Sequence, residues 1–299
     1  MVRGWDVMKN KTKKERAHRL FQDNMKLFRC PFCSHPFIRS RHFGLRCSQG
    51  HNFDLARNGY CNFLASAPKN DYQRDLFLAR RRVFQAGLYQ PLIVEISKLI
   101  LDQGWKSVVI LDAGCGEGSL LSQLYLLLAP GLTCSFLGMD INKEGIRLAG
   151  ALGEPIIWGV ADLAQLPLAA NSVDAVLNIL APANYGEFKR VLKPGGMVIK
   201  VLPGPGYLRE IRNQLEIDVP YSNEEVLNHL GKQLKIQVQK RIYYQSRPGK
   251  ALWPHLLKMT PLTRYRERVI KPVPFLTIEL ELLKGVYPQQ SFQKLRKEI

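Results

Sequence analysis

Three cysteines and a histidine fall close together near the amino end, Cys30 and Cys33 in FRCPFCSHPF, Cys47 and His51 in LRCSQGHNFD. Their spacing is C-x2-C-x13-C-x3-H. A close Cys-x2-Cys turn presents two thiolates to one ion, and a second knuckle supplies the other two corners of a tetrahedron. The segment around them is turn-rich and too short to hold a core unaided, which is the setting of a structural zinc site. With four protein ligands no coordination position is left for a substrate, so the Zn2+ is expected to staple a module and not to do chemistry. His35 and His42 are the alternative ligands. His35 stands two positions past Cys33, inside the first knuckle, where its ring is expected to point away. The competing reading, buried thiols with an incidental histidine, leaves the folding of so small a segment unexplained. Cys61, Cys115 and Cys134 are scattered singly, which is no disulfide framework and fits a reducing compartment.

A second constellation lies in VVILDAGCGEGSLLSQL, where an acid and three glycines alternate: Asp112, Gly114, Gly116 and Gly118, with Glu117 inside the loop. The run before it reads as a buried strand and the run after it as a helix. Glycines there let the chain turn tightly and let a ligand approach the backbone amides without a Cβ in the way. A dinucleotide fingerprint needs glycine at position 119, where Ser119 stands. The D-x-G-x-G-x-G pattern resembles motif I of the class I methyltransferases, whose loop holds the amino-acid end of S-adenosylmethionine. Next, FLGMDINKEG ends a strand in Asp140, where an acid can accept both hydroxyls of a bound ribose. GVAD then places Asp162 just beyond a third strand, positioned for an adenine amino group. FKRVLKPGGMVIKV, with Leu192–Gly196 turning into a strand, matches the post-motif of the same family.

The elements that must carry these residues follow from periodicity. From Asp71 to about Leu101, apolar residues recur at helical spacing (Leu76, Phe77, Val83, Phe84, Leu88, Leu92, Ile93, Ile96), and the Arg80-Arg81-Arg82 run reads as a solvated face of that stretch. Past Gly104 short β-branched runs alternate with helical segments. Strands are expected at Ser107–Leu111, Ser135–Met139, Pro155–Val160, Val173–Ile179 and Met197–Val201, with helices starting near Ser119, Lys143 and Tyr185. Further strands are expected at Ile236–Tyr244 and Phe275–Leu283. This alternation predicts βαβ units in a parallel, doubly wound sheet. The expected fold class is therefore α/β: a class I SAM-dependent methyltransferase with a Rossmann-like sheet and a small N-terminal zinc-binding domain. The expected division is a basic arm over 1–27, flexible or partly helical, a zinc-binding domain over 28–66, a helical linker over 67–104 and the methyltransferase domain over 105–299.

Composition narrows the partners. Across 299 residues, 43 Lys+Arg against 25 Asp+Glu leave a net charge of +18, which favours a polyanionic partner, nucleic acid or an anionic membrane surface. Residues 232–272 hold eleven Lys or Arg against one acid, Glu267, with Tyr243, Tyr244, Trp253 and Tyr265 interleaved. That mixture suits a surface that tracks phosphates and stacks bases; the alternative is aromatics in the core and charges in solvent. No apolar run is long enough for a membrane span, and no apolar stretch of a signal peptide follows the basic residues Lys9 to Arg19, so a cytoplasmic location with no membrane partner is expected.

Taken together, CPFC, CSQGHNFDLARNGYCNFL, QAGLYQPL, DAGCGEG, LNILAPAN, LPGPGYLREI and LLKMTPL resemble the RlmA family of 23S rRNA guanine-N1 methyltransferases, from about Cys30 to near the carboxyl end. The resemblance implies a cleft between the two domains that accepts a 23S rRNA hairpin, methyl transfer to N1 of a guanine in hairpin 35, and assembly as a homodimer. It also implies that Tyr89, the Gly116–Gly118 loop and Tyr207 touch the cofactor. Asn178 stands where one branch of the family has a basic residue, and Tyr207 where that branch has histidine; both departures point to the second branch, linked with macrolide-type antibiotic resistance. Asn178, after the fourth strand, is the residue expected at the guanine edge. Guanine N1 carries a proton at neutral pH, and an asparagine is no efficient base, so the proton acceptor is left unnamed. Two other functions compete: methylation of a small molecule such as a quinone or lipid precursor, and a zinc-ribbon RNA-binding protein with an inactive Rossmann domain. The first has no use for the zinc module or the charge; the intact acids and glycines speak against the second.

Overall fold

The computed structural model describes residues 10–39, 42–66, 74–217, 222–263 and 269–288. Lys9, the expected helix start at Asp71, and Tyr265 and Glu267 of the basic stretch lie outside the described residues.

Over residues 10–27 the amino arm is more ordered than its polar composition announces. Helix α1 (Lys13–Asp23) opens on a capping box: the Thr12 hydroxyl accepts from the Glu15 amide, while the Glu15 carboxylate accepts from the Thr12 amide. Its Ala17 and Phe21 are buried. Phe21 meets Phe28 at 5.1 Å between ring centroids and Phe63 at 6.3 Å. The helix thus closes over the zinc module.

That module contains a three-stranded antiparallel sheet of β1 (Phe37–Ile38), β2 (Gly44–Cys47) and β3 (Asn52–Asp54). Strand β4 (Tyr60–Asn62) leaves it and joins the large sheet, pairing in parallel with β7 (Ile156–Val160). Phe37, Leu45, Phe53 and Phe63 share one apolar cluster with Leu111, Met139 and Ile157 of the large sheet. The small module has no closed core of its own; it completes one begun elsewhere.

The helical stretch before the sheet is two helices, α2 (Arg74–Gln85) and α3 (Gln90–Leu101), broken where Gly87 takes a left-handed φ of 78° and Pro91 starts the next helix. The sheet then alternates β5 (Ser107–Ala113), α4 (Ser119–Leu128), β6 (Thr133–Asp140), α5 (Lys143–Ala149), β7, β8 (Val173–Ile179), α6 (Tyr185–Val191) and β9 (Leu192–Pro203). The central residues of strands β5 to β9 are buried, as those of parallel strands covered on both faces must be. After α7 (Arg209–Gln214) and α8 (Glu224–Gln233), strand β10 (Lys235–Ser246), helix α9 (Trp253–Met259) and β11 (Leu276–Val286) finish the chain's described part. The order across the sheet is β10-β11-β9-β8-β5-β6-β7-β4. Strand β11 runs antiparallel to both neighbours; the other pairings are parallel.

Connections run one way from β5 to β6 and the other way to β8, so the switch point lies between β5 and β8. In open α/β sheets ligands bind in the crevice outside the carboxyl ends of the strands at that point. The loops leaving β5 and β8 are its walls.

Candidate active site and metal centre

Cys30, Cys33, Cys47 and His51 offer ligand atoms all within 4.8 Å of one another. Cys33 Sγ lies 3.7 Å from Cys47 Sγ, and His51 Nδ1 lies 3.6 Å from Cys30 Sγ and 3.4 Å from Cys47 Sγ. Metal–sulfur bonds of about 2.3 Å place two tetrahedral sulfur corners about 3.8 Å apart, so the donor set fits one Zn2+ with no corner to spare. His35 turns its ring back to the Cys33 carbonyl at 2.8 Å, and His42 is likewise outside the cluster. A backbone amide, that of His51, points at Cys47 Sγ at 3.3 Å, which favours the thiolate.

At the switch point, Gly114, Gly116 and Gly118 all adopt positive φ. Two of them show why glycine is required. A Cβ on Gly114 would stand 2.6 Å from the Ala181 Cβ, and one on Gly118 would stand 2.7 Å from the Trp158 ring. The loop is held by Asp140: one carboxylate oxygen accepts from the Gly116 amide and the other from the Asn142 amide, each at 2.8 Å. Burial pushes the Asp140 carboxyl up, and those two amides and the Arg80 charge push it back. Asp112 lies deeper, 2% exposed, with Oδ1 buried and unpartnered. Burial first, then the charge of Asp140, raises its carboxyl to about 8. An orphaned buried carboxylate oxygen beside a glycine cradle fits a cationic ligand, and S-adenosylmethionine carries both an ammonium and a sulfonium.

Other expected contacts also reach this edge of the sheet. Asp162 is exposed beyond β7, where its side chain accepts from the Ala164 amide at 2.8 Å. The Tyr89 and Tyr207 hydroxyls meet at 2.5 Å and join the α2–α3 break to the loop after β9. Burial raises both phenols. Tyr244 donates from β10 to the Leu88 carbonyl and braces the same corner.

Two residues depart from expectation. Asn178 is fully buried: its Nδ2 donates to the Ala113 and Pro182 carbonyls, both at 2.8 Å, and its Oδ1 accepts from Lys200 Nζ at 2.5 Å. Both of its amide hydrogens and its oxygen are engaged, so Asn178 does not present an edge to a base, and its assignment as the catalytic residue is corrected. Glu117 belongs to the loop, but its carboxylate pairs with Arg81 at 2.9 Å and accepts from the Ser119 hydroxyl at 2.9 Å. Its charge is turned inward, away from a ligand. The same pair corrects the arginine run: Arg81 is a half-buried tie, Arg80 faces Gly116, and only Arg82 is exposed. Lys200, 4% exposed, was not singled out by sequence, because LKPGGMVIKV reads as an ordinary strand.

Across β10 and β11 the basic stretch divides. Tyr244 and Trp253 are anchored inside, whereas Tyr243 is exposed with the Arg241 guanidinium 5.0 Å from its ring centroid. Arg247 stands likewise 4.8 Å over Phe275. Arg241 also pairs at 2.8 Å with Glu279, which accepts from the Gly206 amide in the loop carrying Tyr207. Arg241 therefore adjoins the loop that carries Tyr207. On the zinc module Phe32, Ile38 and Phe43 are exposed, with Lys14 over the Phe43 ring at 5.6 Å.

Residues 28–71 match the zinc-ribbon family described as "RlmA, N-terminal", and residues 111–200 match "Methyltransferase domain". YxjB of Bacillus subtilis, designated a 23S rRNA (guanine-N(1)-)-methyltransferase, is 36% identical over 273 residues, covering 87% of this chain and 97% of that protein. The 23S rRNA (guanine(748)-N(1))-methyltransferase of Streptomyces fradiae is 32% identical, covering 64% of this chain and 68% of that protein. A homologue in Micromonospora griseorubida with the same designation as YxjB is 31% identical, covering 62% of this chain and 69% of that protein. With a relative of that identity aligned along nearly its whole length, the chain belongs to the RlmA-type family of 23S rRNA guanine-N1 methyltransferases, with the class I methyltransferase fold and its zinc ribbon.

Proposed function

We propose that this protein transfers the methyl group of S-adenosylmethionine to N1 of a guanine in hairpin 35 of 23S rRNA, as a member of the second branch of its family. The observation that carries the reading is the meeting of the glycine loop, Asp112, Asp140 and the Tyr89–Tyr207 hydroxyl pair at the switch point of one sheet. In this reading Asp140 holds the ribose, Asp162 lies toward the adenine, and the Gly114–Gly118 amides and Asp112 hold the amino-acid end, with Arg80 the cation for its carboxylate. The donor supplies an electrophilic methyl. The protein's part is to keep N1 in line with it, which is where most of the rate is gained. The target base has to leave its stack, at little cost when it already lies in a loop.

The partner surface in this reading is the Arg241–Tyr243 and Arg247–Phe275 pairs on one side and the exposed aromatics of the zinc module on the other. Branch membership rests on Asn178 and Tyr207 and is favoured by the relative that acts on guanine 748. Among the described residues no helix is long and apolar enough to cross a membrane; work in the cytoplasm on ribosomal RNA and assembly as a homodimer complete the proposal.

The test is transfer of labelled methyl from S-adenosylmethionine to a 23S rRNA fragment containing hairpin 35, beside a double-stranded RNA of equal length. The fragment should be modified and the duplex, which hides N1 in base pairs, should not. Methylation of a small phenolic compound in place of RNA would establish the small-molecule alternative; RNA binding without cofactor binding would establish the inactive one.

A further inference from the structure

Lys200 and Asn178 are register partners on β9 and β8, and their side chains meet on the face of the sheet covered by α6. Lys200 Nζ donates to Asn178 Oδ1 at 2.5 Å and to the Ala181 carbonyl at 2.6 Å. Asn178 passes the connection on, to the Pro182 carbonyl and to the Ala113 carbonyl one residue before Gly114. One ammonium thereby ties together the ends of β5 and β8, which are the two walls of the switch-point crevice.

The arrangement is costly to the fold. Among the described residues no carboxylate pairs with Lys200, and burial depresses its ammonium to about 8. Burying an unpaired cation is far worse than burying a methionine of similar length. The chain leaving β8 is strained as well: Leu180 is held at φ 52°, a region leucine rarely adopts, and the residue is 41% exposed. Ala181 packs so closely on the cofactor loop that a Cβ on Gly114 would stand 2.6 Å from its own. Two inward carbonyls hold a turn whose outer wall is Leu180. Strain of this kind persists only where surrounding contacts over-determine it, and here those contacts end on Lys200.

We infer that Lys200 is a positioning residue for the target nucleotide: through Asn178 and the Ala181 carbonyl it pins the Leu180–Asn184 loop against the cofactor loop, so that Leu180 forms the wall on which the flipped base rests. The inference rests on the reading of the chain as a nucleobase methyltransferase, but the order of the loop can be read without any substrate. Lys200→Met keeps the bulk and removes the donors. It should raise amide hydrogen exchange at Leu180, whose amide donates to the Val201 carbonyl at 3.1 Å, at least tenfold, leave the dissociation constant for S-adenosylmethionine within about threefold, and lower kcat on the rRNA fragment at least tenfold. Leu180→Gly frees the strained residue without touching Lys200 and serves if Lys200→Met fails to fold. It should likewise lower kcat and spare cofactor binding, and in the double variant the losses should not multiply.

Unchanged exchange in Lys200→Met, or unchanged kcat in both variants with active wild type, would overturn the inference. So would fully multiplicative losses, or a loss of cofactor affinity that accounts for the fall in rate. If the wild-type protein modifies no RNA while exchange at the loop still rises in Lys200→Met, the substrate reading has failed and the tie has not.

Discussion

The side chains of Asp112 and Asp140 divide the work of meeting a cationic nucleoside. Asp140→Ala should weaken S-adenosylmethionine binding by about 2–3 kcal/mol, since two hydrogen bonds to the ribose are lost and the Gly116 amide loses its acceptor; an unchanged dissociation constant by calorimetry would show that Asp140 is not at the ribose. Asp112 gives a pH signature. Its carboxyl is raised from 3.8 to about 8, so between those values the ligand-free fold holds a proton the unfolded chain has released, and this group's contribution to stability falls as pH rises through that window. Cofactor binding favours the ionised form. Affinity should therefore rise from about pH 6 to about pH 8, by at most about tenfold per unit, and then level off, and Asp112→Asn should flatten the curve. A flat curve in the native protein would remove Asp112 from the site. At this scale the sequence was informative where chemistry follows from residue type and local spacing, as in the zinc knuckles and the glycine loop. It was silent on Lys200 and misleading on Asn178 and Glu117, because their partners lie 22 residues away at Lys200 and 36 residues away at Arg81. Only tertiary structure decides whether an amide or a carboxylate faces a ligand or a neighbour.

Elements read differently according to length. Val173–Ile179 is seen as the strand its β-branched run predicts, and the helices near Ser119, Lys143 and Tyr185 begin where expected, each bounded by glycine or asparagine at its cap. The expected strand Met197–Val201 extends to Leu192–Pro203 because pairing with β8 and β11 continues past its apolar centre. Three-residue β4 carries no period that could reveal it, yet it is the strand that fuses the zinc module to the sheet. That fusion has a thermodynamic consequence. Cys30, Cys47 and Phe53 lie in one cluster with Leu111 and Met139, so the metal and the large core are coupled. The purified protein should contain one zinc per chain, and Cys33→Ser should lose it, as elemental analysis would read. Stripping the metal should lower the melting temperature of the whole protein by several degrees in a single transition. A separate low-temperature transition with the main one unmoved would mean that the module folds on its own.

At the scale of the whole molecule, a net charge of +18, arginines stacked on exposed aromatics and exposed aromatics on the zinc module suit a polyanion with unpaired bases. Binding to the rRNA fragment should weaken steeply with salt, because several phosphates are neutralised together. Arg241→Ala combined with Arg247→Ala should reduce the slope of log affinity against log salt by about 2 and leave cofactor affinity as it was; an unchanged slope would place the RNA elsewhere. The charge and the motifs were legible in sequence because they need no partner to be counted, whereas the placement of the basic stretch was not: Tyr244 and Trp253 turned out to brace the core and Tyr243 to lie outside. The measurement that bears most directly on the central claim is a nucleotide-resolved map of 23S rRNA methylation in cells with and without the gene for this chain. One 1-methylguanine in hairpin 35 should vanish with the gene and return with the wild-type copy but not with Asp140→Ala. An identical methylation map in both strains would contradict it.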